Sequence, residues 1–266
     1  MLATWPLEDL WLQLSPRLPH ISLELLPSID STNTELMRRA RLGQTDPILL
    51  VAETQTAGRG RLGRQWVSSP GDSLTFSLGL MLSPADWSGL SLAVGVALVE
   101  ALESTLGVTL GLKWPNDVWC DHGRGPHKVG GILIETANPP DVQAPGSSRY
   151  AVIGVGLNIR TPQAVESAIP PLGLAALSDE VNAPQLLGQV IPALVQTVLD
   201  FGDSGFRPFQ ARFNRHDLLL NQPVRLSDGR EGVARGVDVH GVLQVDTASG
   251  RALIHSADIS IRPRTD

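Results

Sequence analysis

Three strand-like segments, near residues 108–114, 129–135 and 150–159, follow one another with no helical segment between them. Parallel neighbours need long crossover connections that are usually helices, so these strands are expected to pair mostly in antiparallel fashion. Residues 74–82 alternate between apolar and other side chains, which predicts a half-buried strand. The segments together predict an α+β fold built on a mixed or antiparallel sheet.

Hydrophobic periodicity predicts further elements around these strands. Helices are expected over residues 5–15, 32–42, 90–106, 185–201 and 206–215, and strands over 21–25 and 48–53. Thr32 and Glu35 have the spacing of a capping box, and Gly43 is placed to end the same helix. The turn-rich segments 115–127 and 137–149 are expected to separate strands, the second as a hairpin tip.

The sequence changes character at about residue 217. Short strand-like runs alternate there with the turn pairs Asp228-Gly229, His240-Gly241 and Ser249-Gly250. This pattern predicts a small all-β barrel at the end of the chain.

Composition excludes several classes of protein. The single cysteine, Cys120, excludes a disulfide framework, and no apolar run approaches the ~18 residues of a membrane span. The first ten residues contain no basic side chain, so they do not form a signal peptide. A formal net charge of −6 argues against a general nucleic-acid binder. We therefore expect a cytoplasmic globular protein without a membrane partner.

Residues 58–64 read Gly-Arg-Gly-Arg-Leu-Gly-Arg. The run matches G-x-G-x-x-G, but that fingerprint requires a helix directly after the glycines, and none is predicted here. Glycines allow close backbone approach, and guanidinium groups match phosphate oxygens, so the segment is interpreted as an anion-binding loop. Trp66 would offer a wall for a flat ligand. A solvated basic turn is the alternative.

Lysine is rare in this chain, and both copies, Lys113 and Lys128, lie beside unusual strand ends. Lys113 begins the run Lys-Trp-Pro-Asn-Asp, in which Asn116 could read a purine edge and Asp117 could hold Mg²⁺ near phosphate. An ordinary turn at the end of a strand is the alternative. Lys128 precedes two glycines within a predicted strand.

Glycines inside strands usually mark close approach of a ligand or of another backbone. Gly130 and Gly131 occupy one predicted strand, and Gly154 and Gly156 occupy the next. If the two strands pair, four small positions would form a slot for a slim, mainly apolar ligand with a polar ring. Tightly packed or bulged strands are the alternative.

These motifs, taken in order, resemble those of biotin–protein ligases, also called biotin–[acetyl-CoA-carboxylase] ligases. The resemblance rests on five segments, 30–33, 55–66, 113–117, 128–133 and 154–158. It implies a catalytic domain over residues 1–216 and an SH3-like β-barrel domain over 217–266. It also implies two steps, in which biotin and MgATP form biotinoyl-5′-AMP and the biotinyl group then moves to a lysine of a biotin carboxyl carrier protein.

The resemblance also implies roles for individual residues. The catalytic residues would be Lys128, Arg59 and Arg61. The biotin-binding residues would be Ser31, Thr32, Asn33, Gln55, Gly58, Arg59, Gly60, Arg61, Lys128, Gly131, Gly154 and Gly156. The ATP and adenylate would contact Arg59, Arg61, Arg64, Trp66, Lys113, Asn116, Asp117, Lys128 and Asn158, with Asp117 as a Mg²⁺ ligand.

The sequence departs from the family pattern at two places. Leu62 stands where some members have another arginine, which would loosen contacts to phosphate or retention of the intermediate. Only about thirty residues precede Ser31, whereas a DNA-binding winged helix needs roughly twice that number. We therefore expect the monofunctional form, which does not bind DNA; the sequence does not indicate whether it is a monomer or a homodimer.

Two other functions remain open on sequence grounds. A lipoate–protein ligase is related in fold and chemistry. A non-catalytic module that binds anions or nucleic acid would use Arg59, Arg61 and Arg64 in a different way.

Overall fold

The structure, a computed structural model, describes residues 4–121, 125–138, 140, 148–162, 173–174, 181–255 and 261–263. The helices among them are α1 (Leu7–Leu14), α2 (Thr32–Arg41), α3 (Leu90–Leu106), α4 (Ala183–Ser204) and α5 (Gln210–His216). All five agree with the helices expected from periodicity. None of the helices in these described ranges is both long and apolar enough to cross a membrane.

A seven-stranded sheet forms the centre of the larger part of the chain. Its strands are β1 (Ser22–Leu26), β2 (Ile48–Ala52), β3 (Ser73–Leu82), β4 (Leu110–Lys113), β5 (Asp117–Asp121), β6 (Pro126–Ala137) and β7 (Arg149–Asn158). Their order is β1-β2-β3-β7-β6-β5-β4, and β1 is parallel to β2 while the other neighbours are antiparallel. The mixed sheet expected from the sequence is therefore confirmed.

Helices cover both faces of this sheet. The face toward α3 and α4 carries a large apolar core, which includes Leu49, Phe76 and Val155. The other face carries a smaller apolar cluster in which α2 packs on Leu50 and Val152. Side chains alternate between the two faces along a strand. Every second residue of the central strands therefore lies on the α2 face, beside the smaller cluster.

Two expectations about strands were wrong. Residues 115–127 were expected to be a turn-rich separator, but Asp117–Asp121 form β5, which pairs with β4 and β6. Within the described part of this segment, a turn remains at Trp114–Asn116, and it includes a cis bond before Pro115. Residues 74–82 were expected to be half-buried, but almost every position of β3 is buried because layers cover both faces. Most of the expected hairpin tip, 137–149, lies outside the described residues.

The C-terminal part is a five-stranded antiparallel sheet. Its strands are β8 (Pro223–Leu226), β9 (Glu231–Val237), β10 (Leu243–Thr247), β11 (Gly250–Ile254) and β12 (Ile261–Pro263), in the order β11-β10-β9-β8-β12. The all-β character expected after residue 217 is confirmed. Its apolar side chains, among them Val224 and Leu243, belong to the same continuous core as α3 and α4.

The two sheets meet along a seam beside β4. Trp114 Nε1 donates a hydrogen bond of 3.2 Å to the carbonyl of Gly241, which lies in the turn between β9 and β10. The backbone N–H of Leu218 donates to the carbonyl of Leu112 at 3.0 Å. The turn that follows β4 is therefore fixed by the C-terminal sheet.

Candidate functional site

Most of the residues that the sequence singled out lie on the α2 face of the seven-stranded sheet. Strand register places Gly156 opposite both Gly131 and Thr75, and Gly131 in turn opposite Asp117. Gly154 lies opposite Ser77. Residues of four adjacent strands are thereby brought together where α2 begins.

The beginning of α2 presents three consecutive polar residues to this face, namely Ser31, Thr32 and Asn33. Ser31 is the N-cap, and its side chain accepts a hydrogen bond from the backbone N–H of Thr34. The expected capping box of Thr32 and Glu35 was wrong. Thr32 is already inside the helix, and the Glu35 carboxylate bonds to Arg38 and Arg39 instead of to a backbone N–H.

A buried, uncharged hydrogen-bond network extends from this turn into the sheet. Gln55 Oε1 accepts from the backbone N–H of Thr32 at 2.8 Å and from its hydroxyl at 3.1 Å. The Ser77 hydroxyl lies 2.7 Å from Thr32 Oγ1 and 2.6 Å from Asn33 Oδ1. Asn33 Nδ2 donates to the carbonyl of Leu133 at 3.1 Å. This polar network gives the site an uncharged end with fixed hydrogen-bonding groups.

Two glycines of β7 allow side chains to lie directly on the sheet. A Cβ atom at Gly154 would collide with Asn33 Oδ1, and one at Gly156 would come within 2.5 Å of the Trp66 ring. Trp66 therefore packs against the strand that also supports Asn33. The resemblance had placed Trp66 near an adenine, and that role stays a prediction.

The glycines of β6 face opposite sides of the sheet. A Cβ atom at Gly131 would lie 3.3 Å from Lys128 Nζ, on the α2 face. A Cβ atom at Gly130 would meet Leu157, which belongs to the large core on the other face. The expected slot of four small positions was thus wrong in one member, because adjacent residues of a strand point to opposite faces.

The glycine–arginine loop, residues 58–66, is folded back on itself. Trp66 N donates to the carbonyl of Gly58 at 2.9 Å, and Gly60 N donates to the carbonyl of Arg64 at 2.7 Å. Leu62 and Gly63 have φ of 55° and 72°, so both residues of the turn are left-handed. Residues other than glycine rarely adopt this backbone conformation, so the backbone of the exposed Leu62 is strained there.

The three loop arginines have different surroundings. Arg59 Nη2 lies 3.2 Å from Glu135 Oε1, and Arg59 Nη1 donates to Thr34 Oγ1 at 3.4 Å. Burial lowers the pKa of the Arg61 guanidinium, while the charge of Asp117 raises that pKa and the charge of Arg64 lowers it. Arg64 itself is exposed. The loop thus brings Arg59 and Arg61 toward acidic residues of the site face.

Both lysines lie at the other, charged end of the site. Lys128 Nζ forms an ion pair of 2.7 Å with Asp117 Oδ1, and both side chains are partly exposed. Lys113 Nζ lies 4.9 Å from the centroid of the Trp119 ring, within the range of a cation–π interaction. The two ammonium groups are therefore held in place by neighbours and remain accessible from solvent only in part.

Two predicted residues, Asn116 and Asn158, lie at strand ends. Asn116 Nδ2 donates to the carbonyl of Ile132 at 2.8 Å, so its amide fixes the turn before β5 to the adjacent strand β6. Asn158 ends β7, is buried, and lies opposite Ser73 on the site face. Among the described residues no group of three or more His, Cys, Asp or Glu side chains is arranged to hold a metal ion.

Sequence reasoning gave no role to Ser77, Glu135 or Trp119, although all three contact predicted site residues. Ser77 alternates with Phe76 and Leu78, which in a half-exposed strand would place it in water. The strand register brings Ser77 under α2 and so indicates its role, but register is not visible in a single sequence.

The arrangement has an uncharged, buried end and a cationic, half-exposed end. The first suits a compact ligand head with hydrogen-bond donors and acceptors, and the second suits carboxylate or phosphate groups. One molecule that carries both kinds of group, or two molecules that meet between them, would fit the site face.

Comparison with known families gives two matches. The biotin/lipoate A/B protein ligase family matches residues 25–158, which is half of the chain and contains α2, the loop and β3 to β7. The C-terminal domain of biotin protein ligases matches residues 219–262, which contain the five-stranded sheet.

Individual proteins are similar over most of the chain. A Mycobacterium tuberculosis protein named biotin–[acetyl-CoA-carboxylase] ligase is 31% identical over 252 residues, covering 89% of this chain and 88% of its own. The bifunctional ligase/repressor BirA of Escherichia coli is 32% identical, covering 85% of this chain and 69% of its own. The structure of an Aquifex aeolicus biotin protein ligase in complex with biotin and ATP superposes with a TM-score of 0.75 at 27% identity, covering 91% of this chain and 99% of that one.

Proposed function

The chain belongs to the biotin/lipoate A/B protein ligase family, and on that premise we propose that it is the enzyme that activates biotin with ATP and transfers it to a lysine of the acetyl-CoA carboxylase carrier protein. The observation that carries this function is the polarity of the site face. A network of neutral side chains lies at one end, and Lys128 and Arg61 lie by Asp117 at the other. Arg59 is held beside the neutral end by Glu135.

The uncharged end would hold the ureido ring of biotin. Thr32, Asn33 and Gln55 are fixed by one another and by Ser77, so their remaining hydrogen-bonding capacity is directed before the ligand arrives. Gly154 and Gly156 let Asn33 and Trp66 lie directly on β7, and the ring and its chain would lie between these two side chains. Ser31 contributes by capping α2.

The cationic end would carry the chemistry. In the first step a carboxylate oxygen of biotin attacks the α-phosphorus of ATP, and pyrophosphate leaves as the acyl-phosphate bond forms. This step brings two anionic groups together, so fixed cations stabilise both the encounter and the transition state. We assign that role to Lys128, Arg59 and Arg61, with Lys113 and Arg64 toward the nucleotide and with Gly58 and Gly60 allowing the loop to approach.

Mg²⁺ would accompany ATP and neutralise part of the phosphate charge. Mg²⁺ usually keeps several waters and is bound through one or two carboxylates together with substrate phosphates. A single carboxylate, Asp117, at the cationic end fits that donor set, and its partner Lys128 would then turn toward the ligand. Asn116 and Asn158 would support the nucleotide side from their positions at the strand ends.

We also propose that residues 217–266 act as a second unit that supports the site. The seam hydrogen bond between Trp114 and Gly241 links this unit to the turn before Asp117. Its all-β sheet would thus fix the nucleotide side of the site, while residues 1–216 supply the reacting groups.

Biotin-dependent exchange of pyrophosphate into ATP tests the first step, and transfer of biotin to a purified carrier domain tests the second. Exchange that requires biotin and is not supported by lipoate is expected. Exchange with lipoate alone would make the protein a lipoate–protein ligase. Absence of exchange with either acid, together with retention of DNA at low salt, would favour a non-catalytic binding module.

A further inference from the structure

Glu135 lies on β6 between the glycine–arginine loop and the beginning of α2. Its Oε1 lies 3.2 Å from Arg59 Nη2, and its Oε2 accepts a hydrogen bond of 3.1 Å from Asn33 Nδ2. One carboxylate therefore joins a cation of the loop to a member of the buried polar network.

The chain is attached to α2 a second time at Gln55, three residues before the loop. Gln55 accepts two hydrogen bonds from Thr32, and Thr32 is joined to Asn33 through Ser77. The segment from Gln55 to Arg59 is thus joined to the first turn of α2 at both ends, directly at Gln55 and through Glu135 at Arg59. A loop with two such attachments has fewer accessible conformations than a loop held at one end.

The two attachments differ in their exposure. Thr32 and Ser77 are 3% and 0% exposed, whereas the Arg59 and Glu135 side chains are 51% and 22% exposed. Salt screens an exposed ion pair but leaves buried neutral hydrogen bonds almost unchanged. The attachment through Glu135 is therefore the one that added salt should weaken.

The ion pair leaves most of Arg59 available. A guanidinium group has five N–H donors, of which Glu135 Oε1 and Thr34 Oγ1 engage donors on Nη2 and Nη1. The remaining donors keep a fixed direction because the group is planar. A carboxylate that holds one edge of the guanidinium thus orients the other edge.

Building on the proposed function, we propose that Glu135 is a positioning residue, which holds Arg59 and the glycine–arginine loop over the site before biotin and ATP bind. It does not touch the reacting atoms. Its loss should therefore weaken substrate binding, because the loop must then be ordered at the expense of binding free energy. The rate of the chemical step, once the loop has closed, should remain nearly unchanged.

The test compares the wild type with Glu135→Gln, which keeps the shape and an acceptor for Asn33 but removes the charge. Trypsin cleavage after Arg59, Arg61 or Arg64 in the ligand-free protein should be about two- to fivefold faster in the variant, the range expected for one partly exposed ion pair. Added salt should accelerate cleavage of the wild type toward the rate of the variant and leave the variant unchanged. In the exchange assay, KM for biotin should rise by a similar factor, about two- to fivefold, with kcat within about twofold.

Glu231→Gln is the matched control, because it removes an Arg–Glu pair of 3.1 Å in the C-terminal sheet. It should change neither loop cleavage nor KM. If Glu135→Gln does not fold, Glu135→Asp, which keeps the charge but shortens the reach, should also give faster cleavage.

Equal ligand-free cleavage of wild type and variant would overturn the proposal, as would a fall in kcat at unchanged KM. The cleavage comparison uses no substrate, so it still decides the role of Glu135 if the wild type shows no biotin-dependent exchange. Absence of biotin-dependent exchange in the wild type would overturn the proposed function but not the role of Glu135.

Discussion

Two aspartates near the β4–β5 hairpin have contrasting surroundings. Asp117, at the site, is paired with Lys128 Nζ at 2.7 Å. Asp217, at the seam with the C-terminal sheet, is 8% exposed, and Leu219 N donates to its Oδ1 at 2.9 Å. Its other oxygen is buried without a hydrogen-bond partner among the described residues.

The contrast shows how the same side chain is used for different purposes. At the site the carboxylate of Asp117 is paired with the ammonium of Lys128, and both groups face the side where a ligand would bind. At the seam, burial raises the pKa of Asp217 to about 6, and the hydrogen bond from Leu219 N lowers that pKa by a smaller amount. Substitutions at the site should therefore change activity, whereas substitutions at the seam should change stability.

The largest effect is expected for Lys128→Ala. It removes a proposed transition-state cation and leaves Asp117 without its ion-pair partner. Loss of one such group typically costs about 10²–10³ in rate, and pyrophosphate exchange should fall by about that factor. Lys128→Arg should recover only part of it, because the larger guanidinium cannot occupy the same point beside Gly131.

Arg225→Ala provides the control for Lys128→Ala, because it removes a cation of a partly exposed ion pair in the C-terminal sheet. It should leave exchange unchanged. Unchanged exchange in Lys128→Ala would show that Lys128 takes no part in the chemical step. The proposed functional difference between Asp117 and Asp217 would then be wrong.

Asp217→Asn should have the next largest effect, and it should stabilise the protein. Folding raises the pKa of this carboxyl from 3.8 to about 6, so the folded protein becomes less stable as the pH rises through that range. The loss of stability is absent below the range and complete above it. The shift corresponds to at most about 3 kcal/mol in the free energy of unfolding above pH 6. An amide oxygen can still accept from Leu219 N.

Urea unfolding of both proteins measures this effect. The gain for Asp217→Asn should be largest at pH 8 and about half as large at pH 5. Pyrophosphate exchange should be unchanged. A gain that does not depend on pH would show that Asp217 does not titrate in this range.

Ser77→Ala examines the uncharged end and should have a smaller effect. The hydroxyl connects Thr32 and Asn33, and its removal leaves both with one partner fewer in a buried place. Such a loss costs about 1–3 kcal/mol, so we expect biotin to bind about tenfold more weakly by calorimetric titration, with kcat much less affected. Thr105→Ala, which changes an exposed hydroxyl of α3, is the control.

These residues also show what a single sequence can and cannot predict. Helix periodicity predicted α3 at its true bounds, and composition predicted the glycine–arginine loop. The strand β5 was missed because Pro115 and Asn116 are typical turn residues. The strand begins directly after them, at Asp117, so the turn was expected to extend over it. The partners Ser77 and Glu135 depend on register between distant strands, which local pattern does not encode.

The smallest effect concerns self-modification by the enzyme's own intermediate. Biotinoyl-5′-AMP acylates free amines, and this chain has only two lysines. Lys128 is ion-paired with Asp117, and Lys113 lies over the Trp119 ring, so both ammonium groups are engaged by neighbouring side chains. Incubation with biotin and ATP without carrier should therefore give little labelling by mass spectrometry, confined to Lys113, Lys128 or the amino group of Met1. Arg160→Lys, which places an amine at an exposed position just after β7, should be labelled measurably more. Extensive labelling of Lys128 in the wild type would show that its ion pair does not shield it, and would make the charged end of the site as open as the surface of the protein.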